Sequence, residues 1–136
     1  MLRLRARVIT LAVMLVGLPT AQAADETLTL ACQGTTRLGN AKPEPISMGI
    51  IVNFTNQTVQ SFGAPGVLDY PVKITASNDV TIAFLGTDEK HGSSIRGSID
   101  RVTGDVEATS TMTDAKTYNT LYLKYALKCR PAQRMF

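Results

Sequence analysis

The chain has 136 residues, of which 44% are hydrophobic and 18% charged, with no Trp, two Cys and a formal net charge of +3. Arg3, Arg5 and Arg7 are among its 14 basic residues, whereas none of its 11 acidic residues precedes Asp25, so residues 24–136 hold 11 charges of each sign. A balanced body of this kind has no electrostatic footprint for nucleic acid or an anionic membrane surface, and neither is expected as a partner.

The N-terminus reads as an export signal. Three arginines precede the apolar run Val8 to Leu18, Pro19 breaks it, and Ala21-Gln22-Ala23 supplies a small-x-small cleavage pattern. The predicted cut falls between Ala23 and Ala24, giving a 1–23 signal peptide and a single β domain over 24–136. The run is shorter than the roughly 20 residues of a spanning helix. No two arginines are adjacent, which favours the general secretory route over twin-arginine export. Cys32 lies beyond Asp25 and Glu26, with Thr29 three residues before it, so lipidation is not expected. The mature protein is placed in the periplasm or outside the cell, as a monomer without a membrane anchor.

Beyond the signal, apolar and polar residues alternate in short runs, the period of half-buried strands. Thr27 to Gln33 sets Leu28, Leu30 and Cys32 on one face, and a loop carrying Gly34, Gly39, Pro43 and Pro45 follows. Ile46 to Phe54 aligns Ile46, Met48, Ile50, Val52 and Phe54, and a turn at Thr55-Asn56-Gln57 leads into Thr58 to Phe62. Gly63-Ala64-Pro65-Gly66 interrupts the pattern. Pro71 to Ala76 and Val80 to Leu85 then form a hairpin about Ser77-Asn78-Asp79. After the polar loop Gly86 to Gly92, a second hairpin joins Ser94 to Asp100 and Asp105 to Met112. The last strand, Leu121 to Cys129, sets Leu121, Leu123, Tyr125, Leu127 and Cys129 on one face, and Arg130-Pro131 ends it.

About eight short antiparallel strands and no convincing helix predict an all-β fold, a small up-and-down barrel, with a β-sandwich as the alternative. Cys32 and Cys129 lie on the first and last strands and are predicted to pair in an oxidising compartment. A bridge requires their α-carbons to come within about 7 Å, as adjacent terminal strands of a closed meander would. A sandwich that brings its terminal strands together meets the same constraint.

Candidate chemistry is sparse. The one histidine, His91, sits in the loop 86–94 with Asp88, Glu89, Ser93 and Ser94. Asp88 and Glu89 are neighbours that would point apart in an extended chain, and one histidine is few for a metal site. No Gly-x-Ser-x-Gly motif is present. Asp100 and Gly104 read as turn residues, an acceptor for backbone N–H groups and a positive φ. Asp100, Asp105, Glu107 and Asp114 match no calcium-loop spacing. Asn53-Phe54-Thr55 and Asn56-Gln57-Thr58 fit the N-glycosylation pattern but read as polar residues about a hairpin turn.

The stretches Ile50-Ile51-Val52-Asn53-Phe54, Ser94 to Gly104 and Tyr125-Ala126-Leu127-Lys128-Cys129 resemble small, uncharacterised exported β-proteins of alphaproteobacteria, a resemblance that covers most of residues 24–136 and implies no activity. In architecture the chain also resembles bacterial inhibitors of host lysozyme, small exported barrels tied by a disulfide, although their Ser-Gly-containing inhibitory loop motif is missing. With no catalytic constellation, metal site or cofactor motif, the expected role is a non-enzymatic binding or inhibitory module for a protein or small-molecule ligand. The alternatives are a small periplasmic hydrolase using the 86–94 loop and a structural envelope barrel. Phe136 brings the second to mind, but Arg130-Pro131 and Gln133-Arg134 separate it from the last strand.

Overall fold

Alternation with period two runs through almost the whole chain, and a sheet with one apolar face must close on itself or find a second sheet. Here it closes. The computed structural model describes residues 26–63 and 70–132, so the predicted signal peptide, its Ala23–Ala24 cut and Phe136 lie outside the described residues. The strands are β1 (Thr27–Leu38), β2 (Glu44–Asn53), β3 (Thr58–Phe62), β4 (Val72–Ser77), β5 (Thr81–Asp88), β6 (Ser93–Asp100), β7 (Asp105–Thr113) and β8 (Thr120–Pro131). Each pairs antiparallel with its sequence neighbours, and β8 returns to β1, so the up-and-down barrel is the observed fold and the sandwich is not.

The register gives the barrel its shape. One inward row runs from Leu38 through Leu123, Ser110, Ile95, Gly86, Val72, Val59 and Val52 to Leu28, ten residues back on the strand where it began. A stagger of this size tilts the strands by about 40° and leaves an interior that side chains can fill. Ile82, Ile99, Val52 and Val106 are its most buried large residues, packed with Leu30, Phe84, Ile95 and Leu127. Each such side chain contributes about 1.5–3 kcal/mol through burial. Lys73, Arg96, Lys124 and Lys128 stand exposed on the opposite face.

Cys32 and Cys129 face each other in register across the β1–β8 seam and form the disulfide, at a sequence separation of 97. A covalent link at this distance in sequence is compatible with an oxidising environment.

Four strands run further than the sequence pattern suggests: β2 begins at Glu44 and takes in Pro45, β8 carries Arg130 and Pro131 opposite β1, and the other two pass through glycine. β1 continues past Gly34 to Leu38, and β5 continues past Gly86 to Asp88. Both glycines mark close approach: a Cβ on Gly34 would lie 2.0 Å from the Ala126 carbonyl oxygen, and one on Gly86 would lie 2.8 Å from Val72 Cγ2 and 3.1 Å from Tyr70 Cε2. Conversely, Val80 lies outside β5 and is 52% exposed, because Asn78 Oδ1 accepts from both Val80 N and Thr81 N and draws Val80 into the turn.

Antiparallel order sends the three turns 54–57, 78–80 and 101–104 to one end of the barrel and the longer connections to the other. At the lower end each turn is closed by an Asn or Asp side chain: Asn53 Oδ1 accepts from Asn56 N, Asn78 serves its own turn, and Asp100 Oδ1 accepts from Val102 N and Thr103 N. Gly104, at φ +80°, completes the last turn as expected, and its carbonyl accepts from Cys129 N at 2.8 Å. Arg101 ties all three together, donating from Nη1 to the Asn78 carbonyl at 2.8 Å while its guanidinium lies 5.4 Å from the Phe54 ring centroid.

Candidate functional site

At the upper end the same alternation runs out of partners. Leu38 ends β1, Met112 lies near the end of β7 and Leu121 near the start of β8, all on the inward face; they are 48%, 48% and 51% exposed. With Leu123, Tyr125, Ser110, Ser93, Asp88, His91 and Tyr70 they line a mouth of about 410 Å³. That volume is within the range of small-molecule sites. A much smaller apolar space of about 40 Å³, between Phe84, Ile95, Val106 and Leu127, lies deeper, and Tyr125 lines both.

The wall of the mouth mixes apolar carbon with hydroxyls. Ser110 is buried on β7, and the buried Tyr70 hydroxyl in the same lining has no hydrogen-bond partner among the described residues; nor do the buried hydroxyls of Thr36 and Ser61, which lie outside the lining, Ser61 against the deeper space. Thr36 pairs with Tyr125 across the β1–β8 seam, which sets it beside the mouth. A buried hydroxyl without a partner costs about 1–3 kcal/mol, and such groups concentrate where function outweighs stability. Burial pushes the Tyr70 phenol above its ordinary range; Ser110, close by but outside hydrogen-bond geometry, pulls it back, and the Asp88 charge raises it further. Burial, with a smaller contribution from Tyr70, does the same to Tyr125. Both phenols therefore keep their protons at neutral pH and can donate.

Asp88 and His91 form the only acid–base pair on the rim among the described residues. His91 Nδ1 and Asp88 Oδ2 lie 2.6 Å apart, and this hydrogen bond holds the Asp88 carboxyl below the usual carboxylate range. The imidazole is 68% exposed and the carboxylate 24% exposed. The turn 89–92 folds Asp88 toward His91 and leaves Glu89 exposed outside the mouth lining. Ser93 Oγ donates to the His91 backbone carbonyl at 3.5 Å, not to its ring, so the 86–94 loop presents no nucleophile–base hydrogen bond among the described contacts.

The remaining candidates lie apart. Asp100 and Asp105 serve the lower turn, where Asp105 also meets Lys128 Nζ at 2.9 Å. Asp114 closes the β7–β8 connection at the opposite end by accepting from Lys116 N. Among the described residues no group of three His, Cys, Asp or Glu side chains is placed to hold a metal ion. Asn53, half-buried, ends β2 and precedes the 54–57 turn, and Asn56 is exposed within it, where its N–H donates to Asn53 Oδ1. A more open depression of about 700 Å³ lies on the outer wall, between Leu85, Arg96, Thr109 and Lys124, and among the described residues no unpartnered buried hydroxyl lines it.

Leu121, Leu123 and Tyr125 are legible in the sequence as inward-facing residues, but not as the lining of a mouth, since alternation fixes the face of a residue and not whether anything stands opposite. Tyr70 carries no signal, lying in an interruption between strands. No protein-family model matches the chain, and neither a curated protein nor a solved structure is significantly similar to it.

Proposed function

We propose that this chain is an exported binding module without catalytic activity, a disulfide-tied barrel that takes a small molecule into its upper mouth. The observation that carries the reading is the mouth itself, where three large apolar side chains stand half exposed in one lining with the Tyr70 hydroxyl, buried and without a partner among the described residues. An amphipathic ligand would cover the first and pair with the second. Export is supported by the N-terminal 1–23 pattern and by the disulfide, and a soluble mature form by the apolar interior and polar outer wall, the reverse of a membrane barrel.

Titration of the protein lacking residues 1–23 with the neutral, environment-sensitive dye Nile red tests the site. Emission should rise with the wild type and fall back when Met112→Ser and Leu121→Ser are combined. Equal emission from the variant would place binding elsewhere and remove this reading. Intact mass bears on export: protein recovered outside the cytoplasm should begin at Ala24, and retention of residues 1–23 or an acyl chain on Cys32 would overturn it.

A further inference from the structure

Resting on the mouth as the binding site, we infer that its ligand is an organic cation, with an ammonium group against the Asp88 carboxylate and the Tyr70 and Tyr125 rings and an apolar body against Met112 and Leu121. The charge lining decides the class. Asp88 and His91 are the only ionisable residues other than the two tyrosines that line the mouth among the described residues, and no Lys or Arg joins them. An anionic head would meet a carboxylate and no fixed cation. A neutral ligand would strip water from Asp88, already only 24% exposed, and leave His91 as its sole compensation. An ammonium group replaces that water with opposite charge and with aromatic carbon, the combination that recognises alkylated amines.

The same geometry gives a pH dependence. His91 Nδ1 is hydrogen-bonded to Asp88 Oδ2, so a protonated imidazole neutralises the carboxylate and competes with the ligand, whereas a neutral imidazole leaves the charge available. Among the described residues, Tyr70 and Tyr125, both uncharged across the range, line the mouth with this pair; Glu89 and Lys90 stand exposed in the adjoining turn, and Asp114 and Lys116 in the β7–β8 connection, which meets that turn where Thr113 N donates to the Gly92 carbonyl, each of the two pairs carrying opposite charges. Cation binding therefore weakens wherever the imidazole is protonated.

Calorimetric titration with three probes of equal chain length, hexyltrimethylammonium, 1-hexanol and hexanoate, separates the possibilities. At pH 8 the cation should bind roughly tenfold more tightly than the alcohol, and the carboxylate most weakly. Asp88→Asn, nearly isosteric, should erase the preference, and its far-UV circular dichroism reports whether the barrel is intact. His91→Ala removes that competition and should bind the cation with the same affinity across a pH series in which the wild type weakens toward acid. Equal binding of all three probes, lost in the Met112→Ser and Leu121→Ser double variant, would overturn the cation inference and leave the mouth standing. A preference that survives Asp88→Asn would likewise overturn it, and failure of every probe to bind would overturn both.

Discussion

The two ends of this barrel are built from the same strands yet treat apolar surface in opposite ways. At the lower end Asn53, Asn78 and Asp100 each close a tight turn, Arg101 spans all three turns, and the disulfide lies one hydrogen bond from Gly104. Inward residues there, such as Ile99 and Val106, are buried almost completely. At the upper end the inward residues Leu38, Met112 and Leu121 stay half exposed, and the buried Tyr70 hydroxyl that lines the mouth with them has no partner among the described residues. Stability is concentrated where backbone polar groups and apolar surface are both satisfied. The upper end holds the groups that another molecule could satisfy.

The comparison can be broken or sharpened by experiment. The largest effect is expected at the seam: Cys129→Ser releases a loop spanning 97 residues and should cost about 4–5 kcal/mol on the loop-entropy model. Thermal unfolding with and without reductant would show it, and a change of only a degree or two would mean that the seam holds without its covalent tie. Next comes the filled interior, where Ile82→Ala should lower the unfolding free energy in urea by about 2–5 kcal/mol without shifting the slope.

A smaller loss should follow acidification. Backbone N–H groups of Thr103 and Val102 hold the Asp100 carboxyl low, Lys128 and Thr103 do so for Asp105, and His91 for Asp88. Folded-state values below the unfolded ones mean that this stability is fully present above the ordinary carboxylate range and is lost as pH falls through and below it. Asp100→Asn should flatten part of that decline in a melting series at decreasing pH, whereas an unchanged profile would show that the lower turn does not depend on the charge. The smallest effect belongs to the rim: Leu121→Ser should change stability by no more than about 0.5 kcal/mol, since the side chain is already half exposed. A large loss would mean that the upper end is packed as part of the core.

Much of the fold is legible in the order of the residues. All eight strands appear where alternation places them, the Asp100–Gly104 turn has the expected acceptor and positive φ, and Cys32 faces Cys129. Glycine misleads at two places because its signal is ambiguous: Gly34 and Gly86 lie inside strands where neighbouring groups come too close for a Cβ. Asp88 belongs by composition to a solvated loop, but the continuation of β5 carries it to the rim and the turn brings His91 to it. The mouth depends on which strand ends share one end of the barrel, information that no local window contains.

What the residues alone determined is the period, the faces and the turns, because these are set by interactions among near neighbours: side-chain alternation, Asn and Asp bonding to adjacent backbone, glycine at positive φ. They determined too that the terminal strands could be bridged, since the cysteines fall on matching faces. Only the tertiary structure decided between barrel and sandwich, because both satisfy the same pattern and the choice rests on the β1–β8 register. It also decided that the inward face is filled below and open above. With strands tilted by about 40°, residues of one inward row lie at different heights, and those at the upper ends of β1, β7 and β8 stay half exposed.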